Sequence, residues 1–271
     1  MIQINLDGSK IRAALAPKWQ QCLDIHSFAS LPSTNAHALA TSPSTTRWQL
    51  YLAETQSAGR GRLGRAWFSP AFANIYLSLS WAQVVSVEMQ QRLAALSLVA
   101  GLSVVQVLHE LVPEVNWQVK WPNDIWGNGH KVAGLLLESQ KVGSLTQLVL
   151  GLGLNVNGMD FSLIDRDPKP SSLALLTHRS FDRNVLVGAL VNQLLDDSVL
   201  FFNVGLAAFK ERWQRVDALY GQIMAVTTSK GQGQGIARGI DDGGYLLIEQ
   251  EDGQLFTCSV GEVQLLNYKK P

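Results

Sequence analysis

Between residues 117 and 157 the chain is written as short apolar runs separated by turn residues, a pattern that commits it to antiparallel sheet. Trp117-Gln118-Val119-Lys120 and Asp124-Ile125-Trp126 are strand candidates. Gly127-Asn128-Gly129 follows, and an Asn-Gly pair is the usual closure of a tight hairpin. Residues 131–138 read as the return strand, and residues 145–156, after Gly143-Ser144, as the next one. Upstream, residues 48–54 and 74–81 read as strands on either side of an acid-free loop over 56–69. Helical spacing over 89–111, 184–202 and 206–216 supplies cover for one side of this sheet. The fold class expected is α+β, a mixed and mainly antiparallel sheet packed with helices.

From residue 220 the texture changes. Apolar runs at 223–227, 235–240, 245–249, 255–259 and 263–266 alternate with Gly and Asp turns, which predicts a small all-β barrel. Residues 1–26 are too few for a core of their own, since domains below roughly 40 residues usually need staples. The division expected is therefore an extension over 1–26, a main domain over 27–218 and a barrel over 219–271. With 271 residues, 46% of them hydrophobic, the chain can fill one large core and a satellite. Twenty-two basic and 22 acidic residues cancel, which argues against a surface for long nucleic acid or an anionic membrane, so any basic site is local. The start lacks an apolar stretch flanked by positive charge, and the apolar run 93–108 falls short of the roughly 18 residues of a membrane span, so a cytoplasmic location is expected. Cys22 and Cys258 have no CxxC partner and read as reduced thiols, and the five His form no metal-like spacing.

Four segments carry chemistry. Gly59-Arg60-Gly61-Arg62-Leu63-Gly64-Arg65-Ala66-Trp67 sets three Arg and three Gly in nine residues. Glycine lets backbone approach a ligand, guanidinium offers forked donors to phosphate or carboxylate, and Trp67 adds a flat face for a purine. Alone, such a stretch is also what a solvated loop looks like; lying between two strands, it reads as a mobile anion clamp. It is neither a Walker A loop nor a dinucleotide fingerprint. Lys120-Trp121-Pro122-Asn123-Asp124 gathers a cation, an aromatic ring, a bend, an amide and a carboxylate, and by itself serves equally as a turn. Lys131 opens an apolar strand in which Gly134 leaves space. Gly151 and Gly153 repeat that device ahead of Asn155, a polar residue that burial would oblige to find partners. Farther upstream, Ser33 or Thr34 is placed to cap a short helix, with Asn35 beside them.

Taken in order, Ser33-Thr34-Asn35, QxAGRGRxGRxW, KWPND, KxAGxLxE and GxGxNVN resemble the biotin protein ligases, over a span running from about residue 28 to the end. The resemblance implies a class II synthetase-like catalytic domain followed by an SH3-like barrel. It implies that biotin is activated with ATP to biotinyl-5′-AMP and pyrophosphate, then transferred to a lysine of the biotin carboxyl carrier protein with release of AMP. Ser33, Thr34, Asn35 and Gln56 would then meet the biotin ureido ring, with Gly59, Arg60 and Arg62 folded over the carboxylate and α-phosphate. Lys131 would contact both of those groups. Gly134 would leave room for biotin, Trp67 would stack on adenine, and Asn155 would serve the nucleotide. Asn123 and Asp124 would help the nucleotide and its Mg²⁺, and Arg238 would reach toward the nucleotide from the barrel.

Charge explains the set: two anions must meet in line, so fixed cations and Mg²⁺ are required, with Arg60, Arg62 and Lys131 as the catalytic group. A homodimer is compatible with the resemblance. Because about 26 residues precede the catalytic part, a ligase without DNA-binding function is expected. A lipoate or octanoate ligase is the nearest rival, although the GRGRxGRxW and KWPND segments do not mark that family. An RNA-binding module using the Arg loop is the rival of another class, opposed by the neutral charge.

Overall fold

The computed structural model describes residues 5–162, 164, 169–228, 231–259 and 262–266. Chain order begins α1 (Gly8–Ala13), α2 (Pro17–Gln20), β1 (Leu23–Phe28), α3 (Thr34–Ala40), β2 (Trp48–Ala53), β3 (Ile75–Gln83), α4 (Val87–Arg92) and α5 (Ala95–Leu111). It continues through β4 (Trp117–Lys120), β5 (Asp124–Gly127), β6 (His130–Val142), β7 (Leu145–Leu154), α6 (Leu173–Thr177), α7 (Arg183–Val204) and α8 (Lys210–Val216). The last five strands are β8 (Ile223–Thr228), β9 (Gly231–Ile240), β10 (Leu246–Glu249), β11 (Leu255–Cys258) and β12 (Glu262–Leu265).

Seven strands form one sheet in the order β1-β2-β3-β7-β6-β5-β4, antiparallel throughout except for the parallel β1–β2 pair. This is the mixed, mainly antiparallel sheet expected. Asn128 and Gly129 adopt φ of 47° and 76°, the two left-handed residues a tight β5–β6 hairpin requires. β1 runs through the boundary expected at residue 26, bringing the first part of the chain into the sheet. The helix expected over 89–111 is broken into α4 and α5, because at residues 93–97 the amides of Leu96 and Ser97 bond three residues back, to Leu93 and Ala94. The five remaining strands make a second, antiparallel sheet, β11-β10-β9-β8-β12.

Strand alternation separates two faces of the main sheet. In β7, Leu148, Leu150, Leu152 and Leu154 join the main core with α5 and α7, while Val149 meets Ala38 and Tyr51 beneath α3. The same division puts Ser78 and Ser80 of β3 opposite its core leucines. α5 is apolar nearly all round because it is buried nearly all round, between the sheet and α7. α7 is long and apolar enough to cross a membrane, yet most of it is buried, and its Asp197 binds Ser103 of α5 and takes both nitrogens of Arg212. It is a core helix.

Candidate functional site

The sheet face away from α5 and α7 carries the cleft. Its floor is bare backbone: a Cβ on Gly151 would lie 2.2 Å from Asn35 Oδ1, and one on Gly153 would lie 2.5 Å from the Trp67 ring. Gly134 makes a looser seat for the same ring, since a Cβ there would lie 3.2 Å from Trp67 Cζ3. Glycine at these places decides what can rest on the sheet.

At one end stands α3. Ser33 is its N-cap and accepts from Ala36 N–H, which leaves Thr34 and Asn35 in the first turn, all three nearly fully buried. Gln56 Oε1 accepts from the Thr34 amide at 2.8 Å and its hydroxyl at 3.2 Å, and Gln56 Nε2 donates to Ser69 Oγ at 3.1 Å. Asn35 Nδ2 donates to Leu136 O and Glu138 Oε2, and its Oδ1 accepts from Ser78 Oγ at 2.6 Å. These polar groups satisfy one another, so a ligand ring with its own donors and acceptors enters by exchanging partners.

Residues 59–67 form a small hairpin rather than an open loop. Arg60 bridges Ala66, Gly61 N–H bonds Arg65 O at 2.7 Å and Trp67 N–H bonds Gly59 O at 2.9 Å. Leu63 and Gly64 turn the tip with φ of 55° and 72°. Arg60 forms a salt bridge with Glu138 at 3.1 Å, Arg62 Nη1 reaches Asn123 Oδ1 at 3.4 Å, and Lys131 Nζ binds Asp124 Oδ1 at 2.5 Å. Burial lowers the Arg62 pKa against the pull of Asp124. Burial also holds Lys120 below the ordinary lysine value; Asp124 opposes this, while Lys131, Arg65 and Arg62 reinforce it.

Two cavities meet at Trp67. The first, about 370 Å³, extends from Ser33, Thr34 and Asn35 past Gly151, Gly153 and Gly134 to Arg62, Lys120, Asp124 and Lys131, and ends on Ala225, Thr227 and Val263 of the second sheet. The second, about 510 Å³, lies among Gly59, Trp67, Phe68, Lys131, Asn155 and Phe161. Gln56, Trp67 and Lys131 line both. Lys131 Nζ stands 5.5 Å from the Trp67 ring centroid, and the buried indole Nε1 has no hydrogen-bond partner among the described residues.

Of the residues singled out in the sequence, Ser33, Thr34, Asn35, Gln56, Arg60, Arg62, Trp67, Asn123, Asp124, Lys131 and Gly134 are brought together around the first cavity. Gly59 and Asn155 line the second, where Asn155 Nδ2 is committed to Ser171 O. Arg238 is not brought in. It is exposed on β9 and paired with Glu249 of β10, a cross-strand partner that the sequence did not reveal. Sequence reading also passed over Ser78, whose signal was a polar residue at every second place in an apolar strand, and Thr227 and Val263, which come from another domain. Among the described residues no group of three acidic, His or Cys side chains could cage a metal. Asp124, among the described residues the one carboxylate lining the first cavity, fits instead a divalent ion held mainly by phosphate and water oxygens.

Residues 27–155 match the biotin/lipoate A/B protein ligase family and residues 220–266 match the biotin protein ligase C terminal domain. The bifunctional ligase/repressor BirA of Escherichia coli is 36% identical over 257 residues, 92% of this chain and 77% of that protein. A biotin acetyl-CoA-carboxylase ligase of Mycobacterium tuberculosis is 36% identical over 252 residues, 90% of this chain and 89% of that one. The structure of a biotin protein ligase from Aquifex aeolicus in complex with biotin and ATP superimposes with a TM-score of 0.73 at 26% identity, covering 90% of this chain and 98% of that one.

Proposed function

This chain belongs to the biotin protein ligase family, and from that premise we propose that it activates biotin with ATP to biotinyl-5′-AMP and pyrophosphate. It then transfers biotin to a lysine of the apo biotin carboxyl carrier protein and releases AMP. The observation that carries this reading is the junction of the two cavities, since Lys131 lines both and a carboxylate from one side meets an α-phosphate from the other beside its ammonium. Biotin's ureido ring takes the end made by Ser33, Thr34 and Asn35, with Gln56 supporting Thr34. Adenine takes the second cavity against Trp67, where Asn155, its Nδ2 already used, offers Oδ1 to a donor on the base.

Holding the two anions in line is the main chemical task, and fixed cations perform it without reorganisation. Lys131 steadies the carboxylate and α-phosphate, while Arg62 faces the departing pyrophosphate. Asp124 would hold a Mg²⁺ ion carried on the triphosphate, which would supply further charge neutralisation there. Arg60 leaves Glu138 to close on the adenylate, and the hairpin over the cleft keeps that mixed anhydride from water. Acyl transfer to the carrier lysine then expels AMP.

Biotin-dependent exchange of pyrophosphate into ATP, and a biotinylated lysine once apo carrier protein is added, are the expected results; exchange that ignores biotin would defeat the reading. Arg60→Ala should shed biotinyl-AMP at least tenfold faster in a single-turnover chase, and unchanged retention would remove Arg60 from the clamp. The same reading includes action in the cytoplasm, a homodimer through the β1 edge of the main sheet, and no operator binding, the last supported by zero net charge. Cell fractionation, sedimentation and a gel shift on biotin-operon DNA test these in turn.

A further inference from the structure

The cations of the first cavity are unequally supplied with counter-charge. Lys131 has Asp124 at 2.5 Å and Arg60 has Glu138 at 3.1 Å. Lys120, the last residue of β4, has among the described residues the Val263 carbonyl at 3.3 Å and the Trp126 ring, whose centroid is 5.5 Å away. Both partners are neutral, and the first bond is at the long end of the N–H···O range. An ammonium has three donors, so a partly buried one held in this way is short of acceptors, and the nearby Asp124 carboxylate, which acts on it through space, has its direct contact with Lys131 instead. The wall it faces is contributed by Thr227 and Val263 of the second sheet.

Resting on the ATP-dependent reading above, we propose that Lys120 binds the pyrophosphate end of ATP and gives up the Val263 carbonyl to do so, so that nucleotide binding loosens the joint between the two sheets at β12. A phosphate oxygen brings the full opposite charge that the Val263 carbonyl lacks, which favours the exchange. Two bonds tie the end of β4 to the second sheet and its turns, Lys120 Nζ to Val263 O and Trp121 Nε1 to Gly244 O at 3.0 Å, while Ala218 N–H to Val119 O at 3.0 Å holds the connection that leads into β8. Lys120 and Trp121 both line the first cavity, but the Trp121 bond is buried and the Lys120 bond only partly so, which makes the Lys120 bond the one a ligand reaches more readily. The joint opens at β12 while Trp121 holds. When pyrophosphate departs, Lys120 returns to Val263, and the wall closes on the adenylate before the carrier lysine arrives. The lowered affinity of Lys120 for its proton agrees with a cation awaiting an anion.

Calorimetric titration of the full chain with ATP, pyrophosphate, AMP and biotin, for the parent and Lys120→Met, tests the binding. The expected outcome is at least tenfold weaker ATP and pyrophosphate, with AMP and biotin changed less than twofold. Unchanged ATP affinity, or an equal loss for biotin and AMP, would overturn it. Amide exchange over residues 262–266 tests the coupling. ATP should accelerate it in the parent, while in Lys120→Met it should be fast already and indifferent to ATP; a parent whose β12 exchange ignores ATP overturns the coupling. Should Lys120→Met not fold, Lys120→Gln against Lys120→Arg carries the same comparison, with Arg retaining the larger share of ATP affinity. A parent without biotin-dependent exchange would instead bring down the functional reading itself, which distinguishes the two failures.

Discussion

Gly151 and Gly153 stand two apart on β7 and serve different neighbours, so the same added methyl has two different effects. In Gly151→Ala the new Cβ meets Asn35 Oδ1 at 2.2 Å and forces that amide away from Ser78, so the KM for biotin should rise at least tenfold with the KM for ATP little changed. In Gly153→Ala the Cβ meets the Trp67 ring at 2.5 Å, and the loss should fall on ATP instead. Steady-state titration of each substrate separates the two, and an equal effect of both variants on both substrates would contradict the division of the cleft. Glycine in an apolar run was visible in the sequence as a place of close approach. Which side chain approaches it was not, because Asn35 and Trp67 lie far away along the chain. The same limit applies to Gln56, whose amide supports Thr34, and to Arg60, whose partner Glu138 no local pattern announces.

Elements were legible where period or turn chemistry marked them. The β5–β6 hairpin follows from Asn128-Gly129, and β7 from its alternation of leucine with small residues. β1 escaped because Leu23-Asp24-Ile25-His26-Ser27-Phe28 lies at a sheet edge, only Leu23 is fully buried, and its parallel pairing with β2 needs a crossover rather than a turn. The start of α7 is pinned by an ion pair equally invisible in sequence: Arg183 and Glu54, 2% and 8% exposed, with Leu6 N–H donating to the other carboxylate oxygen. Arg183→Met strands Glu54 as a buried charge and should cost about 3–5 kcal/mol in urea unfolding. A loss below 1 kcal/mol would show the pair to be solvated. Asp217, which follows α8, supplies a pH signature. Burial raises its carboxyl above the ordinary 3.8, against the bonds from Leu219 N–H and Trp213 Nε1. A carboxyl raised on folding contributes stability that is full below 3.8 and is lost as pH rises through its folded value. The stability of the parent relative to Asp217→Asn should therefore be greater near pH 4 than at neutrality, measured by denaturant melts across that range.

At the scale of the whole molecule the two sheets are joined through consecutive residues, Lys120 and Trp121, of one short motif. Trp121→Phe leaves Gly244 O unpaired, a cost of about 1–3 kcal/mol, and the space left by the larger indole at this buried position adds to it. Amide exchange in β8 to β12 should accelerate while β2, β3 and β7 keep their protection; uniform acceleration would mean that the sheets unfold as one. The change of texture at residue 220 made the second sheet readable in advance, but not that its strands wall the cleft, since such contacts depend on how two separately legible units pack. The alternation in β7 has one more consequence, concerning length rather than identity. Leucines at even positions fill the core and glycines at 151 and 153 face the ligand, so inserting or deleting one residue ahead of them would turn the strand inside out. Evolution can retune this site one side chain at a time, but along that strand the spacing is a reading frame that admits no shift.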